Sequence, residues 1–255
     1  MRGLLIKDFF CLKKQLINYV FIIVGVIVIS VLYVLSYNYG NLHVAMIEMV
    51  NSGQGTQADV TQIASAALLF SMLIPIACTG DITNLITADE NASFYKVASA
   101  LPVSIGKRVA CRFITGYLFI AIGVAVDFIM TIVLSSLTDI ISFGKFCGVI
   151  VSFASIMLMY ISLFILFVYL LDKGSTVYAN LIPLFIGVVI YVAVNFERLK
   201  AFLLGSDESA LSDLYNQATG FMFHQSYILF IAAVIVSGGA YFAAVNIAGR
   251  KRGVA

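Results

Sequence analysis

Residues 146–171 read FCGVIVSFASIMLMYISLFILFVYLL and contain no charged side chain. A helix rises about 1.5 Å per residue, so about 20 apolar residues cross the roughly 30 Å hydrocarbon core of a bilayer. The stretch is therefore long enough and apolar enough to be a transmembrane helix, and we take it as the reference for the rest of the chain.

Other parts of the chain contain similar apolar runs. Four meet the same criterion, at residues 19–37, 113–134, 178–196 and 227–247. A further span is predicted near 63–86, although its apolar run stops at Cys78, because the chain has to return to the other side of the membrane. We therefore expect an all-α polytopic membrane protein with about six transmembrane helices, folded as one domain over residues 1–255.

The overall composition supports this class. The chain is 62% hydrophobic and 11% charged, with a mean hydropathy of +1.04, whereas soluble domains are about 45–50% apolar and about 25% charged. The net charge of +2 gives no indication of nucleic-acid binding. The four cysteines lack CxxC spacing, so we expect no metal site and no disulfide.

The lysines and arginines predict the orientation. With the N-terminus in the cytoplasm, all but three of the 15 fall on the cytoplasmic side, the exceptions being Lys145, Arg198 and Lys200. Cationic loops resist translocation, so both termini are predicted to be cytoplasmic in a bacterial inner membrane. No cleavable signal peptide is evident, since the first apolar run is too long for one.

The first 18 residues predict an amphipathic helix. Apolar residues recur at helical spacing, at Leu5, Phe9, Leu12 and Leu16. Cations are supplied by Arg2, Lys7, Lys13 and Lys14. Such a helix would lie among the lipid headgroups with its apolar side toward the lipid. The alternative is an ordinary cationic flank of the first span. On the outer side, 197–226 is partly amphipathic and predicts short helices against the membrane surface.

The loop between the second and third spans, residues 89–108, reads DENASFYKVASALPVSIGKR. Its apolar side chains follow the i, i+3, i+4, i+7 pattern of an amphipathic helix, at Phe94, Val97, Ala98 and Leu101. Asp89 and Glu90 would occupy the first turn of this helix, over 89–101. Pro102 would end it, and Ser104 fits as the N-cap of the next helix. The alternative is an ordinary hairpin with an amphipathic turn.

These residues resemble the membrane subunit of ABC-2 type transporters. The matching positions are Asp89-Glu90, Phe94, Leu101-Pro102-Val103-Ser104 and Lys107-Arg108. The resemblance extends to the N-terminal helix with Lys13-Lys14, to the six-span layout and to the outer segment before the last span. It implies that 89–101 is a coupling helix that docks into a separate ATPase. The coupling residues would be Asp89, Glu90, Phe94, Val97, Leu101 and Pro102.

The resemblance also implies how the transporter is assembled. The chain lacks the Gly-x-x-x-x-Gly-Lys-Ser/Thr phosphate loop, so ATP and Mg would bind in the partner ATPase, and this chain would be neither an enzyme nor a cofactor protein. A homodimer, or a pair with a similar permease, would complete the membrane core. The chain is similar in size to small bacterial exporters of phenol-soluble modulins or lantibiotics, which suggests export of an amphipathic or hydrophobic peptide.

Asp127 is the residue within the spans that most suggests chemistry. A charged group at the bilayer centre costs about 2.5–3.5 kcal/mol on insertion scales, so it should face the bundle interior or a wet cavity. It is either part of the substrate pathway or a protonated packing residue. Asp81 is closer to the interface, as expected of a solvated helix end.

Two other classes of function remain open. The alternative to transport is a non-transporting accessory or immunity protein. An intramembrane hydrolase that uses Asp81 and Asp127 has less support, because the sequence contains neither HExxH nor GxSxG.

Overall fold

The structure is a computed structural model that describes residues 2–39, 48, 73–92, 94, 102–137, 143–171, 176–203, 220, 222 and 225–252. In this part of the chain it is all-helical, with seven helices and no strand. The helices are α1 (Arg2–Tyr39), α2 (Leu73–Asn91), α3 (Ile105–Leu137), α4 (Phe143–Leu170), α5 (Thr176–Val194), α6 (Phe196–Leu203) and α7 (Ser226–Arg252).

Four of these helices contain a segment long and apolar enough to cross a membrane. The segments are Ile105–Ile129, Phe146–Leu170, Thr176–Val194 and Ser226–Arg250. They overlap the predicted spans at 113–134, 146–171, 178–196 and 227–247, so the chain is a multi-pass membrane protein. The predicted span 19–37 lies inside α1. For the predicted span 63–86, α2 covers the second half, and residues 63–72 lie outside the described residues. The six-span count stays a prediction.

Helix α1 is continuous through the predicted boundary at residue 18. Its 38 residues extend about 57 Å at about 1.5 Å per residue, which is longer than the hydrocarbon core is thick. The side predicted to face lipid instead packs on the protein. Leu12 is buried, and the ring of Phe9 lies 5.6 Å from that of Phe119 on α3. The prediction is corrected here because α3 offers these side chains an apolar surface, while Ile6 and Phe10 remain exposed.

Helix α4 is central to the packing. It contacts α7 most extensively and also packs against α2, α3 and α5. Helix α7 contributes small buried residues, Ala233, Ala240 and Ala244, which allow close helix approach where lipid offers no hydrophobic drive. On α3, a Cβ added at Gly116 would lie 3.2 Å from Ile161 Cγ1 of α4, so a larger residue would crowd this crossing.

Helices α1 and α5 have long exposed segments. In α5, the buried residues are Thr176, Ala179 and Pro183 at its beginning, whereas most side chains from 184 to 194 are exposed. In α1, most described side chains after residue 19 are exposed as well. Both helices are therefore held to the bundle mainly near their N-terminal ends.

Candidate functional site

The ends of four helices meet at one end of the bundle. Lys7, near the start of α1, places its Nζ 2.8 and 2.7 Å from the two carboxylate oxygens of Asp89, at the end of α2. Thr176, the first residue of α5, donates a hydrogen bond of 3.0 Å to Glu90 Oε2. Arg112, near the start of α3, pairs with Asp89 as well. The starts of α1, α3 and α5 and the end of α2 therefore lie on one face of the bundle.

Helix α7 ends on the same face. Its residue Tyr241 stacks edge-to-face on Phe113 of α3, with ring centroids 5.7 Å apart. Ala244, Val245 and Ala248 belong to the same apolar cluster as Val109 and Phe113. The described ends of the chain, near Arg2 and Arg252, are therefore on the same side of the bundle.

An ionic cluster of four residues, Lys7, Asp8, Asp89 and Arg112, occupies this face. Asp8 is its buried centre, with a side chain only 3% exposed. Lys7 Nζ lies 3.0 Å from Asp8 Oδ1, and Arg112 Nη1 lies 3.3 Å from the same oxygen. The Thr115 hydroxyl donates to Asp8 Oδ2 at 3.1 Å. Two cations and two carboxylates thus balance one another in a site largely shielded from water.

The helical periodicity explains how these groups meet. Arg112 and Thr115 are three residues apart on α3 and share one face, so both reach the same Asp8 carboxylate. On α1, Leu12 lies one turn beyond Asp8 on the same buried side. An acidic residue in register with buried apolar residues is the sequence signal of an internal ion pair, and it could have singled out Asp8. Asp8 and Thr176 were not among the predicted site residues, and Arg112 was counted only with the cytoplasmic cations.

The acidic pair lies where α2 ends, which corrects the predicted start of the coupling helix. Asp89 and Glu90 occupy the last turn of α2, closed by a 2.9 Å bond from the Ala92 amide to the Ala88 carbonyl. They do not begin a new helix at 89. The physical reason is the apolar face of α2, on which Ile82, Leu85 and Ile86 are buried and which Asp89 extends at the same helical spacing.

The local electrostatics depend on both carboxylates. Burial lowers the pKa of the Lys7 ammonium below its ordinary value, and the neighbouring Arg112 guanidinium lowers it further, while the Asp8 carboxylate acts in the opposite direction. Removing either acid would leave two cations close together with one anion between them. The acids are therefore needed to hold α1 against α3.

Phe94, in the loop after α2, contacts the ionic cluster. Its ring centroid is 4.0 Å from Lys7 Nζ, a cation–π contact, and its side chain is half-buried. Lys7 therefore touches both the end of α2 and the loop that follows it. Val97 and Leu101, the other predicted coupling residues of this loop, lie outside the described residues.

The turn before α3 is well defined. Pro102 is exposed, and α3 begins at Ile105. The amide of Arg108 donates to the Ser104 carbonyl at 3.2 Å, which confirms Ser104 as the residue that precedes the first turn. The Arg108 guanidinium donates twice to the Val103 carbonyl, at 3.1 and 2.9 Å. These bonds fix the direction in which the chain enters α3.

Asp127 belongs to a separate region of α3. It is 1% exposed, so its carboxyl lies inside the helix bundle. Because it follows Arg112 by 15 residues, it lies about 22 Å farther along the helix axis. The structure thus does not bring Asp127 together with the ionic cluster. Among the described residues, no group of three or more His, Cys, Asp or Glu side chains is arranged to hold a metal.

Hydroxyl groups connect three helices within the bundle. The Tyr117 and Ser162 oxygens are 2.9 Å apart, and the Ser162 and Ser237 oxygens are also 2.9 Å apart. These contacts join α3, α4 and α7. Interhelical hydrogen bonds of this kind stabilise packing in lipid by about 1 kcal/mol.

The fold and this face define a multi-pass helical membrane protein whose cationic helix ends are gathered on one side. The sequence model of the ABC-2 family transporter protein matches residues 60–247. This range is well over half of the chain, and the protein belongs to the ABC-2 transporter family as a membrane permease of an ABC transporter. Membership implies pairing with an ABC ATPase. No curated protein and no solved structure is significantly similar to the chain.

Proposed function

We propose that the chain is the permease subunit of an ABC exporter that moves an amphipathic or hydrophobic substrate, of the peptide class, out of the cell. The observation that carries the proposal is the attachment of the α2–α3 loop to the bundle by the ionic cluster. We name residues 89–102 the coupling segment, which engages the ATPase. Family membership supports the need for such a segment, because this sequence contains no phosphate loop of its own.

The proposed topology has six spans with both termini in the cytoplasm of a bacterium. Support comes from the shared face. The start of α1, the end of α2 at Asn91, the start of α3 at Ile105, the start of α5 and the end of α7 all lie there. Cations are concentrated in these same segments, including Lys7, Arg112 and Arg250. Cationic segments stay on the cytoplasmic side, so this face would be the one presented to the ATPase.

The proposed assembly contains two membrane subunits, as a homodimer or a pair with a similar permease, together with ATPase subunits that bind ATP and Mg. This chain then contributes no catalytic residue. The exposed apolar side chains of α1 and α5 suit contact with lipid or with the second membrane subunit. Asp127, buried on α3, would belong to the substrate pathway.

Co-purification followed by transport tests the proposal. The tagged chain is extracted from its native membrane in mild detergent, and we expect a polypeptide with a phosphate loop to co-purify. The complex is then reconstituted into vesicles with the ATPase outside, and uptake of a fluorescein-labelled amphipathic Leu/Lys peptide is measured. We expect uptake that requires ATP and that a sequence-scrambled, non-amphipathic peptide does not match.

The main alternative is a non-transporting accessory or immunity protein. It predicts no co-purifying ATPase and no ATP-dependent uptake. Cells that lack the chain would then lose tolerance to a toxin without accumulating peptide. That combination of results would replace the exporter proposal.

A further inference from the structure

We infer that Asp89 and Glu90 link the coupling segment mechanically to α1, α3 and α5, and that they are not part of the surface that touches the ATPase. The inference rests on the proposed function and assigns a different role to two of its coupling residues. It is carried by the direction of their hydrogen bonds.

Both carboxylates are directed into their own chain. The two oxygens of Asp89 are held by Lys7 of α1 and one of them also by Arg112 of α3, and the side chain is 15% exposed. Glu90 accepts the bond from Thr176, a buried residue at the start of α5. Two successive residues thus hold three different helices.

A docking acid would require a different arrangement. A charge recognised by a partner has to be accessible and unbalanced before the partner arrives. Asp89 meets neither condition, because two cations of its own chain already contact it. Asp89 is therefore a link within the chain, and Glu90, whose Oε2 accepts from Thr176, links the same segment to α5. We assign docking to the residues after Asn91.

Lys7 extends the connection from the coupling segment to α1. Its ammonium contacts Asp89 and lies over the Phe94 ring, and its neighbour Asp8 is buried against Arg112 and Thr115. A displacement of Phe94 relative to α3 would therefore strain the contacts that hold the start of α1. Rigidly packed groups of this kind respond by moving together.

The helices reached by the acidic pair include the two with long exposed segments. Most described side chains of α1 after residue 19 and of α5 after Pro183 are exposed. In contrast, α4 and α7 make the most extensive helix–helix contact among the described helices. A motion that enters through Asp89 and Glu90 would thus shift α1 and α5 against a core formed by α3, α4 and α7.

The first experiment needs neither ATPase nor substrate. Amide hydrogen exchange of residues 6–12 is measured in the purified chain in lipid nanodiscs. Asp89→Asn should speed exchange there roughly tenfold or more, since a hydrogen bond to a charged group is lost. Asp89→Glu should restore the slow rate. Glu197→Gln, which removes one negative charge from an exposed residue of α6, should leave it unchanged.

Thr176→Val is the matching test for Glu90. It keeps the shape of the side chain and removes the donor, so exchange should rise at the start of α5 and stay the same at residues 6–12. If neither Asp89→Asn nor Thr176→Val alters exchange, the links have no mechanical effect and the inference is wrong.

The second experiment uses the complex with its co-purified ATPase. In the parent, a non-hydrolysable ATP analogue should change exchange in α1 and α5. Asp89→Asn should bind the ATPase with parent affinity and lose the change in α1, and ATP hydrolysis should become uncoupled from peptide uptake. A merely structural role would lower protein level and leave the ratio of uptake to hydrolysis as it was.

Two results distinguish the inference from the proposed function. If Asp89→Asn loses ATPase binding while the isolated chain shows normal exchange, the acidic pair is a docking contact and only the inference fails. If no ATPase binds the parent chain, the proposed function fails, and the transmission role is withdrawn with it.

Discussion

Asp8 and Arg112 lie 104 residues apart in the sequence and form an ion pair of 3.3 Å. The aspartate side chain is 3% exposed and the arginine 19%. A pair this shielded is costly to break from one side, because the remaining charge keeps its burial and loses its partner. Removing either partner should therefore loosen the start of α1 from α3.

Asp8→Ala should destabilise the protein by about 2–4 kcal/mol, which is somewhat less than for a fully buried pair because Arg112 is partly solvated. Asp8→Asn should cost less, since its amide oxygen can still accept from Thr115. Denaturation of the purified protein in nanodiscs, followed by helical circular dichroism, measures both. Lys13→Ala is the control, because Lys13 is exposed on the same helix. Equal stability of Asp8→Ala and the parent would contradict a buried role for Asp8.

Four of the six predicted spans coincide with helices that are long and apolar enough to cross a membrane. Runs such as Phe146–Leu171 are identified as spans because they are apolar without interruption over a length that soluble helices rarely reach. Helix α3 begins at Ile105, directly after the predicted N-cap Ser104 and eight residues before the apolar run at 113, because the helix continues past the membrane edge through cationic residues. Hydropathy locates the apolar part of a helix, whereas capping determines its end.

The site is only partly predictable for a physical reason. In a membrane protein, lipid and the interior of the protein are both apolar. The spacing of Phe9 and Leu12 therefore cannot indicate whether this face of α1 contacts lipid or another helix. The face of α2 likewise continues from Ile86 to Asp89, but the sequence alone does not reveal the cations that receive this acid. Long-range ion pairs such as Asp8–Arg112 depend on helix packing that local patterns do not encode.

Gly116→Val should destabilise the α3–α4 crossing by about 1–3 kcal/mol, as expected of overpacking. A Cβ at this position would already lie 3.2 Å from Ile161 Cγ1. The same denaturation assay measures the effect. Gly239→Val on α7 is the matched control, because nothing lies within 4 Å of its added Cβ. Similar losses for the two variants would mean that the crossing tolerates the extra volume.

Ser162→Ala should cost about 1 kcal/mol, because it removes the hydroxyl that joins Tyr117 and Ser237. Ser155→Ala removes an equally buried hydroxyl that bonds to the Val151 carbonyl of its own helix, at 2.6 Å. The first variant should therefore lose more stability than the second. If the order were reversed, the interhelical hydroxyl contacts would not be what holds α3, α4 and α7 together.

Asp127→Asn separates the two hypotheses for the buried carboxyl of α3. The substitution keeps hydrogen bonding and removes the ability to ionise. A role in the substrate pathway predicts lost ATP-dependent peptide uptake with normal membrane level and normal ATPase binding. Uptake at the parent rate would indicate that Asp127 is a packing residue. Thr131→Val, one turn farther on and equally buried, is the control for a general disturbance of this region.

The coupling segment gives the sharpest test of the proposed function. Phe94 and Leu101 are its largest apolar side chains, and an interface anchor of this kind typically contributes more than about 1 kcal/mol to binding, because its loss leaves an unfilled pocket in the partner. Phe94→Ala combined with Leu101→Ala should therefore weaken ATPase binding and abolish peptide uptake while the chain still inserts. Pull-down with the co-purified ATPase measures the binding, and ATP-dependent uptake of labelled peptide by reconstituted vesicles measures the transport.

Pro102→Ala should behave differently from the double variant. The turn ahead of α3 is also held by Arg108 through the Val103 carbonyl, so loss of the proline ring loosens the segment without removing an anchor. The ATPase should still bind, and hydrolysis should drive less uptake per ATP. Lys107→Gln alters an exposed residue in the first turn of α3, and it should leave both properties at the parent level. If the double variant bound its ATPase and exported peptide like the parent, residues 89–102 would not be the coupling element, because no other change in the segment removes as much apolar surface.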